Sequence, residues 1–257
     1  TLYYQNVRSL RTKLKHLHLA TLNENFNFLV LTETWLHMDI LDNELLDNRY
    51  TIFRTDRNPE NSIKSLGGGV LIAIKKPLKC YKIVASKSVE ELWIRVFLGN
   101  GSSVILGAVY LPPHVSPSSY LNHVNSVKKI MLNHPNDTVI LCGDFNMPEV
   151  FWSKDADFEG LVPVSVSSEK ALLICDSFPT YDLIQLNNLV NSYGNVLDLC
   201  FTNSCDVALT SCDPLISVDS SHPPFKLTFD LNTSINVTYC LPDVFYDFKA
   251  ANYDELN

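Results

Sequence analysis

No run in this sequence is apolar for long enough to cross a membrane, and no leader-like segment opens it, so a soluble intracellular protein is the expectation. Positive charge is scarce: 20 lysines and arginines face 28 aspartates and glutamates, a formal net charge of -8. Such a balance argues against broad electrostatic adhesion to nucleic acid. It leaves room for a local basic groove and suits a carboxylate-rich site that awaits a divalent cation. The seven cysteines, Cys80, Cys142, Cys175, Cys200, Cys205, Cys212 and Cys240, include no CxxC pair and no compact ligand spacing. They are read as mostly reduced, buried, small apolar residues. Gly67, Gly68 and Gly69 are followed by neither Lys-Ser nor Lys-Thr, nor by a helix. That disfavours a phosphate-cradling loop and leaves a strand that starts close to another backbone. The first residue is not methionine, and Leu2 to Val7 already reads as a strand, so the sequence is expected to begin inside a longer polypeptide.

What is present organises around Asp137 to Asn146. Val139, Ile140 and Leu141 form an apolar run closed by Gly143, the pattern of a strand buried on both faces. Just beyond it, Asp144 and Asn146 are two apart in extended backbone and present a carboxylate and an amide to one side. A chain of 257 residues with 46% hydrophobic content can bury one large core, so residues 1–231 are expected to form one α/β domain and 232–257 a linker.

Other apolar runs also deliver polar groups at their ends. Leu2 to Val7 carries Asn6 and leads to a helix with Leu10, Leu14, Leu17 and Leu22 at helical spacing; Phe28 to Leu31 runs into Glu33. The runs at Tyr50 to Arg54, Val70 to Ile74 and Leu92 to Phe97 are spaced like an antiparallel meander, with Glu90 and Glu91 read as solvated. Val104 to Tyr110 stops at Pro112, which puts the Tyr110 phenol at a strand exit. Helices are expected over Tyr120 to Leu132 and Glu169 to Phe178, and strands over Asp182 to Leu186, Val196 to Thr202 and Phe225 to Phe229. Asp198 then falls within a strand and His222 in the loop before the last one. An acid inside a strand must find a partner or cost stability.

Asn6, Glu33, Tyr110, Asp144 with Asn146, Asp198 and His222, in that order, resemble the endonuclease/exonuclease/phosphatase family. The segments Gln5-Asn6-Val7-Arg8-Ser9, Leu31-Thr32-Glu33-Thr34-Trp35-Leu36, Val109-Tyr110-Leu111-Pro112-Pro113, Gly143-Asp144-Phe145-Asn146 and Leu197-Asp198-Leu199-Cys200-Phe201-Thr202 look most like the endonuclease domain of non-LTR retrotransposons. The resemblance implies a four-layered α/β sandwich of two mainly antiparallel sheets flanked by helices. It also implies Mg²⁺, with Mn²⁺ as an alternative, a double-stranded DNA substrate, and a reverse transcriptase domain beyond the linker. A nuclear location at the time of cleavage follows.

By the same resemblance Glu33 would hold the metal with Asn6 beside it, and Asp144 would orient or deprotonate water. Asn146, Tyr110 and Arg8 would contact the substrate, Asp198 would support the metal-side or phosphate-side network, and His222 would donate to a phosphate oxygen or move a proton. One position departs from the family pattern: Ser221 stands where an Asp usually precedes the histidine. His222 is therefore expected to need another carboxylate, and Asp219 in the same loop is the candidate. The alternatives are an abasic-site repair endonuclease and a catalytically weakened DNA-binding domain.

Overall fold

The computed structural model describes residues 1–98, 101–155, 160–217 and 220–229. The strands are β1 (Leu2–Asn6), β2 (Phe28–Thr32), β3 (Tyr50–Thr55), β4 (Val70–Lys75), β5 (Cys80–Ile83), β6 (Glu90–Phe97), β7 (Ser103–Tyr110), β8 (Thr138–Asp144), β9 (Phe151–Lys154), β10 (Leu161–Ser165), β11 (Ile184–Gln185), β12 (Asp198–Thr202), β13 (Val207–Ser211) and β14 (Phe225–Phe229). The helices are α1 (Leu14–Asn23), α2 (Asp42–Leu45), α3 (Pro117–Asn133) and α4 (Glu169–Ser177). The expected linker from residue 232 onward and Asp219 lie outside the described residues.

Two sheets form, a six-stranded one in the order β13-β14-β1-β2-β4-β3 and an eight-stranded one in the order β5-β6-β7-β8-β12-β11-β10-β9. Each has a single parallel pair, β1 with β2 and β7 with β8, and every other neighbour is antiparallel. The sheets face each other across an apolar layer that includes Tyr4, Val30, Ile72, Leu106 and Cys142. Alternation decides the rest: Tyr3 and Leu29 point away from that layer onto Leu10 and Leu17, while Ile105 and Val139 pack on Val124 and Val127 of α3. The result is the expected four-layered sandwich, with mainly antiparallel sheets.

The structure departs from the sequence reading in several places, each for a physical reason. The meander splits, because β4 pairs with β2 and β3 whereas β5 and β6 join the other sheet. Leu22 is exposed, and Thr21 takes the buried place on α1 by donating its hydroxyl to the Leu17 carbonyl. The strand expected over Asp182 to Leu186 shrinks to Ile184–Gln185, and a strand that no apolar run marks, β13, lies on the sheet edge. Glu90 and Glu91 are buried rather than solvated. Glu90 pairs with Arg57 at 2.7 Å and accepts from the Gly69 N–H, while Glu91 pairs with His123 at 2.6 Å and with Ser126. Satisfied acids of this kind can be buried where lone ones cannot. The six described cysteines are free, three of them buried.

The glycine run does bring backbones together. Gly68 and Gly69 sit at positive φ, and their carbonyls accept from the Trp35 and Thr34 N–H groups. A side chain on Gly68 would collide with the Glu90 carboxylate.

Candidate active site

Strand direction explains why residues so far apart in sequence meet. The parallel pairs β1/β2 and β7/β8 end at one rim of the sandwich, delivering Asn6, Glu33, Tyr110 and Asp144 there; antiparallel β12 and β14 begin at that rim with Asp198 and, just upstream, His222. Register completes the row. Glu90, Tyr110, Asp144 and Asp198 lie side by side on four neighbouring strands. A crevice of about 320 Å³ opens above them, lined by Arg8, Glu33, Tyr110, Asp144, Asn146 and His222 among others.

His222 has a carboxylate partner, and it is Asp198. The imidazole Nδ1 lies 2.9 Å from Asp198 Oδ2 and 3.9 Å from Asp144 Oδ2. Asp198 is held in turn by the Tyr4 hydroxyl, which donates to its Oδ1 at 2.7 Å, and Tyr4 is stacked on Phe225. The expectation that Ser221 deprives the histidine of a carboxylate is therefore corrected, since β12 supplies one across the sheet seam and no help from Asp219 is required. With Nδ1 occupied, Nε2 is the nitrogen left for a ligand.

Asp144 is fully enclosed. Its Oδ2 accepts from Asn6 Nδ2 at 2.9 Å and its Oδ1 from the Asn146 N–H at 3.1 Å. Burial first, then the neighbouring charges of Asp198 and Glu33, push its carboxyl well above the usual range, against the opposing pull of His222. Tyr110 is also buried, and burial together with the Glu33 carboxylate drives its phenol far upward, so it stays protonated and can only donate to an anion. Asn146 sits at φ 48 with Nδ2 on the Leu111 carbonyl at 2.9 Å, which leaves its second amide hydrogen for a ligand. Arg8 is exposed at the crevice wall, with its backbone N–H on Asn6 Oδ1.

Backbone strain concentrates here. Among the described residues, the non-glycine positions at positive φ are Arg8, Ser9, Glu33, Trp35, Asn146 and Asp182, and all but the last belong to this rim. Each costs on the order of 1 kcal/mol and persists only where surrounding bonds hold it. Thr34 shows how: its N–H donates to Gly69 and its carbonyl accepts from Leu10.

The donor set fits a hard divalent cation. Asp144, Asp198 and His222 each place a ligand atom within 4.8 Å of the others, but Asp198 and the histidine are spent on one another. Glu33 and Asp144 remain as carboxylates lining the crevice, and Asn6, whose amide nitrogen donates to Asp144, carries an amide oxygen that accepts from the Arg8 N–H and has a second lone pair. One or two carboxylates completed by water and phosphate is the usual Mg²⁺ environment. A cation would also relieve the crowding of negative charge that lifts the Asp144 carboxyl. Saturating Mg²⁺, at about 100 times its Kd, is expected to stabilise the protein by about 2.7 kcal/mol. Calorimetry with and without the ion reads this as a rise in Tm, and Glu33→Gln should remove most of it; an equal rise in the variant would assign the ion elsewhere.

His222 titrates in the opposite sense to an isolated buried histidine. Burial alone would lower its pKa, but Asp198, and then Asp144 and Glu33, outweigh that and raise it to about 9. Because the folded value lies above the unfolded one, the stabilisation is full below about pH 6.5 and is lost as pH climbs through 9. Urea melts of the metal-free protein should show stability declining across that window. The imidazole resonances should move with a midpoint near 9. A midpoint below neutrality would remove the Asp198 pairing.

Sequence reasoning missed Tyr4, Thr32, Arg57 and Trp35. Tyr4 was within reach, since it shares a strand face with Asn6 two residues on; the others owe their roles to contacts at strand ends and in the turns beyond them, which no periodicity marks. Thr32 meets the Tyr4 hydroxyl at 3.0 Å, Arg57 lies over the Tyr110 ring at 5.8 Å, and the Trp35 indole donates to Glu33 Oε2 at 2.6 Å.

Residues 3–222 match the model of the Endonuclease/Exonuclease/phosphatase family. No curated protein sequence matches the chain significantly. Among solved structures it is similar to the endonuclease domain of TRAS1, a telomere-specific non-LTR retrotransposon, with a TM-score of 0.63 and 12% identity over 90% of this chain and 98% of that one. A 3'-5' exonuclease (NExo) from Neisseria meningitidis gives a TM-score of 0.63 at 16% identity, covering 89% and 99%. An AP endonuclease from Archaeoglobus fulgidus gives 0.54 at 16% identity, covering 90% and 99%.

Proposed function

This chain belongs to the endonuclease/exonuclease/phosphatase family, and from that premise we propose that it is a divalent-metal-dependent DNA endonuclease of the non-LTR retrotransposon kind. It nicks one strand of double-stranded DNA and leaves a 3′-hydroxyl that primes reverse transcription by a polymerase domain of the same polypeptide, in the nucleus. The observation that carries the reading is the Asp198–His222 pair set 3.9 Å from a buried Asp144 beneath a crevice that also holds Glu33 and Tyr110. The five sequence segments that resemble retrotransposon endonucleases support the choice within the family.

The residues divide the work by their chemistry. Glu33, with the Asn6 amide oxygen beside it, would hold the cation, which when bound neutralises charge on the phosphate and the leaving oxygen. Asp144, held by Asn6 and the Asn146 N–H, orients the attacking water and takes its proton. The protonated His222, the Tyr110 phenol and the free Asn146 amide hydrogen donate to the non-bridging oxygens and stabilise the charge that develops there. The P–O3′ bond breaks and the departing oxygen takes a proton from solvent, giving a 3′-hydroxyl and a 5′-phosphate.

Supercoiled plasmid incubated with Mg²⁺ should be converted to the nicked circle, and polymerase extension from the nick should show the free 3′-hydroxyl. No conversion in any divalent metal would overturn the reading. A duplex with one abasic lesion separates the repair alternative, which requires strong preference for the lesion. A large gain on Ser221→Asp would indicate instead a site short of a carboxylate.

A further inference from the structure

Beside the catalytic crevice lies a second cavity, of about 400 Å³, lined by Arg11, Trp35, Leu36, His37, Arg57 and Leu66 among others. It is within the size range of pockets that take small organic groups. The two cavities share a wall: Trp35 lines the second one, and its indole N–H is bonded to Glu33, which lines the first. Arg57, which also lines the second, lies over the ring of Tyr110 in the first.

Trp35 is held there at a cost. A bulky residue at φ 55 is strained, and the turn is clamped by the Trp35 N–H on the Gly68 carbonyl at 2.8 Å. The indole nevertheless remains 36% exposed, and Leu66 across the cavity is 71% exposed, so the clamp presents an aromatic surface to solvent rather than burying it. Gly67 keeps that surface clear; a β-carbon there would stand 3.8 Å from the indole. The charges sort in the same way. The Arg57 guanidinium is neutralised by Glu90, whereas the exposed Arg11 guanidinium has no side-chain partner among the described residues. An apolar flat surface, an available cation and a phosphate-handling crevice next door are the three features a nucleotide unit requires.

Resting on the nuclease reading above, we propose that this cavity is a subsite for one nucleobase of the cleaved strand, adjacent to the scissile phosphate. The base stacks on Trp35 and Arg11 meets the neighbouring backbone phosphate. The 56–69 loop that walls the cavity begins and ends at the catalytic rim, as the pairing of Thr55 with Val70 and of Val70 with Thr32 shows. The cavity therefore contributes to which DNA positions are nicked.

The test compares Trp35→Phe with Trp35→Ala. Both lose the indole N–H to Glu33, so any effect on the metal side is common to both, and only the second loses the ring. Stacking predicts a KM for plasmid nicking about tenfold higher in Trp35→Ala than in Trp35→Phe. Equal KM values on DNA would overturn the subsite. Fluorescence anisotropy of a labelled duplex, read in Ca²⁺, gives a Kd that does not depend on cleavage. A tenfold weaker Kd for Trp35→Ala supports the subsite, and an equal one overturns it, even if the wild-type chain cuts nothing and the endonuclease reading itself fails. Arg11→Gln should lower the slope of log Kd against log salt by about one.

Discussion

Asp198→Asn is expected to lower plasmid nicking by about 10⁴-fold while the fold survives. The carboxylate lies between two donors, Tyr4 at 2.7 Å and His222 at 2.9 Å. An asparagine can still accept from one of them, but its amide hydrogens then face the other. If they face Nδ1, the imidazole takes the tautomer with hydrogen on Nε2 and loses the charge-assisted bond that keeps it protonated near neutral pH. The donor to the phosphate weakens and proton transfer loses its orientation, which is how the corresponding change acts in hydrolases whose histidine leans on an aspartate. The His222 midpoint should fall from about 9 in the same variant. Nicking within tenfold of wild type would mean that Asp198 is only a buried structural acid.

Asp144→Asn should likewise abolish measurable nicking, a loss of about 10³-fold or more, because no carboxylate then remains to position and deprotonate the water. Its effect on stability should run the other way. The wild-type carboxyl is raised by burial, Asp198 and Glu33, so ionising it costs the folded chain stability, a cost that grows as pH climbs above the usual carboxylate range toward the folded value and levels off beyond it. The amide keeps an acceptor for the Asn146 N–H and removes that charge, while Asn6, which donates to the other oxygen, must turn its own amide to accept instead. The metal-free variant should therefore be more stable by about 1–2 kcal/mol in chemical denaturation, the exchange of stability for activity seen at many active sites. Lower stability with retained nicking would show that Asp144 serves the fold rather than the reaction.

The sequence displayed the site residues but concealed their connections. Glu33, Asp144 and Asn6 could be named because each closes an apolar run, and strand exits are where layered α/β proteins place ligands. The partner of His222 could not, because it sits 24 residues earlier on a strand of the other sheet, and only the facing of two sheets brings it near. Glu90 and Glu91 were misread for a related reason. A pair of acids looks solvated until Arg57 and His123 arrive from elsewhere in the chain. Edge strands such as β13, with its half-exposed alternation, also escape a reading that depends on apolar runs. Loops between the strands differ in position as well. The 56–69 loop stands at the catalytic rim, whereas the turn before β13 lies at the far end of the sandwich.

Asn6, Glu33 and His222 ride on one sheet, while Tyr110, Asp144 and Asp198 ride on the other. The bonds Asn6 to Asp144 and His222 to Asp198 are consequently stitches between two plates whose alignment rests on the greasy contact of Val30, Ile72 and Leu106. A slip of a single ångström along that contact would part the stitches without unfolding either plate. Warming should accordingly silence the enzyme some degrees before its circular dichroism changes.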